Sequence, residues 1–257
     1  MSEQELFKGT AYYYANYRPG YPDGLIYQIR EFANKQDTLL DLGCGTGELT
    51  FPLCKYFSMC IGVDPDSEMI QWADKKKNKY GRENCTFLNR SAEEYEATPS
   101  SYSMIVSGNA FHWMNREMVL DQSYNLLEED GRMVILAGGS LWSGKERWQK
   151  DVKKLIQSYL GQKRRAGTGI YPKGKKRHED YIQQSRFRLS EKSDYTFTYE
   201  WTVDSLIGYL YSTSFCRQGS LGEDLEWFEK ELRHLLADRH LFEKMEVTCF
   251  YLVKSKH

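Results

Sequence analysis

The sequence predicts an α/β protein, with a mostly parallel sheet, helices on both faces, an antiparallel hairpin at one edge and a cap inserted late in the chain. Three observations carry that expectation. Between Thr38 and Ala137 short apolar runs alternate with amphipathic stretches, the pattern of repeated βαβ units. One of those runs passes through the glycine-rich turn Gly43-Cys44-Gly45-Thr46-Gly47 into helix-forming sequence. Beyond Gly138 the pattern changes, and Tyr195-Thr196-Phe197-Thr198-Tyr199-Glu200-Trp201 alternates with period two, aromatics on one face.

Taken in order, residues 1–36 form a Tyr-rich arm punctuated by Pro19, Gly20, Pro22 and Gly24, with a helical run around Leu25–Ala33. Strands follow at Thr38–Leu42, Met59–Val63, Cys85–Asn89, Met104–Ser107 and Gly131–Leu136. Helices fall between them at Glu48–Phe57, Ser67–Lys79 and Arg116–Leu127. Asp66-Ser67-Glu68 supplies cap residues for the second of these, and Asp64-Pro65 a turn before it. Right-handed crossovers then place successive strands side by side.

Leu141–Leu160 reads as helix and Gly161–His178 as a linker-like stretch. Helices at Asp204–Ser212 and Asp224–Arg239 precede a last strand near Met245–Val253. The chain therefore reads as one domain over 1–257: an arm (1–36), a core (37–139), a cap insertion (140–190) and a segment completing the sheet (191–257).

Composition narrows the function. The 257 residues carry 35 Lys+Arg against 36 Asp+Glu, a net charge of -1, so no global field favours nucleic acid or an anionic membrane. Neither a cleavable signal nor about 18 consecutive apolar residues is present, which points to a soluble cytoplasmic protein. The six cysteines form no Cys-x-x-Cys pair and have no nearby histidine at zinc-ligand spacing, so no metal is expected and buried thiols are. Aromatics make up 14%, with 19 Tyr, 12 Phe and 6 Trp, either as core or as the lining of a pocket.

The glycine turn selects a ligand class. Gly43 and Gly45 let the backbone turn tightly and approach a ligand, Gly47 lets helix and strand pack closely, and the helix start offers free N–H donors. A dinucleotide fingerprint would need glycine where Glu48 stands, and no Gly-Lys-Ser/Thr ending of a phosphate-cradling loop follows. An acid at a helix start also repels a pyrophosphate, so a cofactor without phosphate is expected. Asp64, 17 residues after Gly47 at the end of the second strand, can accept both hydroxyls of a ribose or act as a turn-capping acid.

Asp41-x-Gly43-x-Gly45-x-Gly47 resembles motif I of the class I S-adenosylmethionine-dependent methyltransferases. The resemblance implies a Rossmann-like class I methyltransferase sheet, S-adenosyl-L-methionine as cofactor, S-adenosyl-L-homocysteine as product, and no metal. It places Asp41, Gly43, Cys44, Gly45, Gly47, Asp64, Pro65, Met69, Ala92 and Asn109 around the cofactor. Ser91 stands where the family commonly has an acid, so the adenine contact falls to the backbone of Ala92, while Glu93 either joins it or caps a surface helix.

Phe7-x-Gly9-x-Ala11-x-x-Tyr14-x-x-Tyr17-Arg18-Pro19-x-Tyr21-Pro22, Ala110-Phe111-His112-Trp113 and Trp201-Thr202-Val203 look like the small-molecule branch that includes trans-aconitate methyltransferase-like proteins. The likeness covers nearly the whole chain, is strongest over 38–137 and is weakest in 161–178.

The implied reaction is in-line methyl transfer to an oxygen, nitrogen or carbon nucleophile of a small acceptor, anionic or aromatic, for which alignment supplies most of the acceleration. His112 is either a base, needed only when the nucleophile arrives protonated, or a packing histidine beside Trp113. Phe111 and Trp113 would wall the site. Tyr14, Tyr17, Arg18 and Tyr21 read as a lid or as an arm packed on the sheet edge, with Arg18 able to pair with a carboxylate. Lys163, Arg164, Arg165, Lys173, Lys175, Lys176 and Arg177, with no acid among them in 161–178, form either a solvated loop or a lid steering an anion. An RNA or protein methyltransferase, and a cofactor-binding protein without turnover, are the competing expectations.

Overall fold

A computed structural model describes residues 7–167, 169–170 and 176–254. Nine strands run in chain order as β1 (Thr38–Leu42), β2 (Met59–Asp64), β3 (Cys85–Asn89), β4 (Tyr102–Gly108), β5 (Leu127–Gly138), β6 (Arg165–Ala166), β7 (Gly169–Ile170), β8 (Phe187–Trp201) and β9 (Leu241–Lys254). The helices are α1 (Ala11–Tyr17), α2 (Asp23–Phe32), α3 (Thr50–Leu53), α4 (Ser67–Tyr80), α5 (Arg116–Leu126), α6 (Arg147–Leu160), α7 (His178–Gln184), α8 (Val203–Tyr211), α9 (Gln218–Leu221) and α10 (Leu225–Leu236).

Seven strands form a mixed sheet in the order β3-β2-β1-β4-β5-β9-β8. β1 pairs in parallel with β2 and with β4, β5 pairs antiparallel with β9, and the two late strands β9 and β8 lie side by side at that edge, as expected. Strand character follows position. β4, deep in the sheet, is an almost unbroken buried run, whereas edge strand β8 alternates between covered and exposed residues. The order reverses between β1 and β4, and in open α/β sheets the crevice at such a switch point, outside the carboxyl ends of the strands, receives the ligand.

The chain divides into two compact units. A sheet unit comprises Gly20–Gly138, Gly174–Tyr195 and Val247–His257, and a helical unit comprises Met1–Pro19, Gly139–Lys173 and Thr196–Glu246. Each has its own core. In the sheet unit Leu40, Leu42, Ile105, Phe111, Leu127, Met133, Phe250 and Leu252 pack together. In the helical unit Trp148, Val152, Leu210, Phe228 and Leu232 do so.

Helix ends follow their capping chemistry. The Asp66 carboxylate accepts the Glu68 and Met69 N–H groups (2.8 and 3.4 Å) at the start of α4, which stops at Gly81 in the left-handed conformation. Three expected elements differ. Only Thr50–Leu53 of the expected Glu48–Phe57 helix is helical, and the Asn84 side chain donates to the Cys54 and Phe57 carbonyls just beyond its end (2.8 and 2.9 Å). The expected Leu141–Leu160 helix breaks at Gly144 into a 3-10 turn and α6, where the Gln149 side chain accepts the Glu146 N–H at the new start. In the expected linker, β6 and β7 form a small ladder across Gly167, and His178 opens α7. Lys173 and Lys175 lie outside the described residues.

Candidate active site

The loops after β1 and β4 meet at the switch point. A Cβ at Gly43 would occupy the place of the Ala110 side chain, so the glycine is what lets the two loops touch. The Gly43 and Cys44 N–H groups both donate to the Val63 carbonyl (2.9 and 3.0 Å), tying the turn to the end of β2. Gly47 has φ +88°, and the ring of Phe51, one turn along in α3, fills the space its missing Cβ leaves. Cys44 is buried with its thiol over Gly62, and burial pushes that thiol up.

Two carboxylates flank the turn. Asp41, on β1, is 1% exposed; the Thr50 hydroxyl donates to its Oδ2 (2.6 Å), while its Oδ1 is buried with no partner. Burial pushes its pKa up to about 7 against the Thr50 hydrogen bond, with the Glu48 and Asp64 charges adding to the rise. Asp64, at the end of β2, accepts the Gly45 N–H on Oδ2 and the Asp66 N–H on Oδ1, both at 2.9 Å. Its pKa rises to about 6 because burial outweighs those two donors. One lone pair on each Asp64 oxygen remains for a ligand hydroxyl.

Glu48 does not stand as a bare acid at the helix start. Lys76 of α4 donates to its Oε1 (2.7 Å) and to the Thr46 hydroxyl (3.0 Å), and Thr46 itself bonds Glu48. Like-charge repulsion is therefore not what shapes the turn.

The remaining sheet-unit residues have defined partners. Pro65 accepts the Asn89 side-chain N–H (2.9 Å) and Met69 is buried on the inner face of α4. Ser91 bonds Glu94 through both its neighbour's N–H and carboxylate (3.3 and 2.9 Å), a local turn, and Ala92 is buried behind it. Glu93 accepts the Asn115 N–H (2.6 Å) on its carboxylate and the Gln122 side chain (2.9 Å) on its carbonyl, bracing the start of α5. Asn109, at φ +54°, accepts the Gly138 N–H (2.5 Å) and donates to the Tyr21 hydroxyl (3.3 Å), which lies against Gly108. Phe111, His112 and Trp113 form a 3-10 turn; Phe111 is buried, and the half-buried His112 and Trp113 rings lie 4.6 Å apart.

Tyr14, Tyr17 and Arg18 belong to the helical unit. Arg18 donates to the Ser212 hydroxyl and carbonyl (2.9 and 3.1 Å) and lies 4.5 Å from the Tyr14 ring and 5.2 Å from the Tyr209 ring. Tyr17 stacks on Tyr13 at 6.0 Å and packs on Gly208.

Sequence reasoning missed Thr50, Lys76, Arg116 and His178. Thr50 follows Gly47 by one short turn, a spacing that could have marked it as the partner of Asp41. Arg116 carried a fainter signal, a cation where a helix start favours acids.

Residues 39–131 match the family described as "Methyltransferase domain". The chain is 37% identical over 122 residues to the "Probable S-adenosylmethionine-dependent methyltransferase CRG1" of Saccharomyces cerevisiae, 46% of this chain and 42% of that protein. It is 32% identical over 127 residues to a Dictyostelium discoideum methyltransferase, 49% of this chain and 46% of that one, so the matches span less than half the length of these relatives. A structure assigned as a type II methyltransferase from Anaeromyxobacter dehalogenans superposes with a TM-score of 0.65 at 19% identity, covering 93% of this chain and 99% of that one. Geranyl diphosphate C-methyltransferase of Streptomyces coelicolor, solved with S-adenosyl-L-homocysteine, superposes at 0.52 and 10%, covering 90% and 76%.

Proposed function

We propose that this chain, whose residues 39–131 match the family described as "Methyltransferase domain", is a class I, S-adenosylmethionine-dependent enzyme that transfers a methyl group to an oxygen, nitrogen or carbon nucleophile of a small-molecule acceptor. The observation that carries the proposal is the pair of carboxylates flanking the glycine turn at the sheet's switch point, one of them with a buried, unpartnered oxygen.

That arrangement fits the cofactor. The orphaned Asp41 Oδ1 is an acceptor awaiting a cation, as the ammonium of the methionine moiety is, and such a partner would hold the buried carboxyl in its charged form. Asp64 would accept the ribose hydroxyls, held in place by the Gly45 and Asp66 N–H groups. The backbone of Ala92 would meet the adenine, with Pro65 and Met69 on its other side. When bound, S-adenosylmethionine supplies a methyl group already activated by positive charge.

The protein's own task is then alignment and exclusion of water. Phe111 and Trp113 would wall the acceptor and His112 would take its proton where it carries one. Tyr21 would fix the edge of the site through Asn109. All six cysteines are free and buried, and among the described residues no helix is long and apolar enough to cross a membrane, which suits a small acceptor met in a reducing cytoplasm.

Calorimetry with S-adenosylmethionine and S-adenosylhomocysteine tests the cofactor, with binding expected to the wild type and lost in Asp64→Ala. Mass spectrometry of cell extract incubated with the protein and a deuterated methyl donor tests the transfer. A labelled small molecule is expected; label confined to RNA or protein, or no label at all, would overturn the proposal.

A further inference from the structure

Arg116 opens α5 and is 7% exposed. Its Nη1 donates to the Lys176 carbonyl (3.1 Å), its Nη2 to the Tyr181 hydroxyl (3.3 Å), and the guanidinium lies 4.0 Å from the centre of the Tyr181 ring. All of these partners are neutral. Among the described residues none of the ion pairs includes Arg116. A buried guanidinium without a counter-charge is costly, and this one sits at the helix end whose dipole already favours an anion.

The neighbouring imidazole has an unmet nitrogen. His178 is wedged between Phe111 and Phe250, ring centres 5.2 and 5.9 Å away, and its Nδ1 is buried with no partner. Burial and then the Arg116 charge hold it neutral, its pKa down to about 4, against a weaker opposite pull from Glu179. Glu179 is itself engaged by Lys192 of β8 at 2.5 Å. The Arg116 partners Lys176 and Tyr181 lie two residues before and three residues after His178, so a fork donor without a counter-charge and an unmet imidazole nitrogen sit on one segment.

We propose that Arg116 and His178 form a recognition site for an oxyanion, a carboxylate or a phosphate, carried by the methyl acceptor. An arginine fork binds either group with charge-assisted hydrogen bonds, and His178 would add one from Nδ1. Phe111 links this site to the turn that carries His112 and Trp113, since its ring packs on His178. That the oxyanion belongs to the acceptor rests on the methyltransferase proposal; the anion site itself does not.

The test is calorimetry of the full chain at low salt with acetate, succinate, inorganic phosphate and, as neutral control, acetamide. At least one anion is expected to bind, acetamide is not, and Arg116→Gln is expected to weaken that binding at least about 10-fold. Carboxylate and phosphate arms identify the group. Because the substitution can unsettle α5, the wild type provides a second readout: the bound anion should raise the His178 pKa by about one unit or more, followed by NMR of its ring protons. Anions that bind no better than acetamide, or equally well to a folded Arg116→Gln protein, or that leave the His178 titration unmoved, would overturn the site. Calorimetry with S-adenosylmethionine in the same samples separates the two proposals, since its failure on wild type sinks the methyltransferase reading and leaves the anion site standing.

Discussion

Replacing Asp41 by Asn should stabilise the protein at high pH while weakening its cofactor binding. Asp41 has a native pKa of about 7 against an ordinary 3.8, so the folded state holds its proton where the unfolded state has lost it. A raised carboxyl pKa contributes stability fully present below pH 4 and lost as pH climbs through 7. Between pH 5 and pH 8 the loss is about two pKa units, or about 3 kcal/mol. Asn cannot titrate, and the Thr50 hydroxyl can still donate to its carbonyl. The amide nitrogen is then left where Oδ1 was, at a fixed cost of about 1–3 kcal/mol. Urea unfolding at both pH values should therefore show Asp41→Asn slightly less stable than wild type at pH 5 and more stable at pH 8, with a swing near about 3 kcal/mol. Affinity for S-adenosylmethionine should fall about 10–100-fold at pH 8, the worth of a charged hydrogen bond. Parallel stability curves for the two proteins across this range would refute the assignment of a buried, cation-seeking carboxylate.

Cofactor affinity measured by calorimetry from pH 5 to 8.5 should rise with pH and level off above about 7, because Asp64 ionises at about 6 and Asp41 at about 7; a flat profile would contradict both roles. Gly47→Ala must find room where the Phe51 ring lies, at a backbone φ of +88°, and should cost about 2–4 kcal/mol in urea unfolding. His112→Gln should leave S-adenosylmethionine affinity unchanged while lowering label transfer to the acceptor; equal transfer would make His112 a packing residue. Because the His178 pKa is depressed from 6.5 to about 4, stability should fall as pH drops from 6.5 to 4, by up to about 2–3 kcal/mol for this partly screened group, and His178→Phe should flatten that slope.

Most of the sheet was legible because its strands announce themselves locally. Thr38–Leu42 and Cys85–Asn89 occur as expected, since each is a short apolar run bounded by turn residues. Helix α4 was legible through Asp66, whose capping depends on near neighbours alone. The shortness of α3 was not, and the side chain that meets the carbonyls beyond its end, Asn84, comes from about 30 residues away.

The same division holds at the site. Asp41, the three glycines and Asp64 could be found by spacing, since a glycine turn after a strand imposes its geometry on a few consecutive residues. Their spacing also set the expectation of a cofactor without phosphate. What the tertiary structure decided was which groups are met and which are not: Lys76 neutralises Glu48 from 28 positions away, Asn115 captures Glu93, Asp41 Oδ1 and His178 Nδ1 are left buried without partners, and Arg116 has neutral ones. The reason is physical. Burial and pairing depend on through-space distance, and only the folded chain brings α4, α5 and α7 to the strand ends where those distances are set.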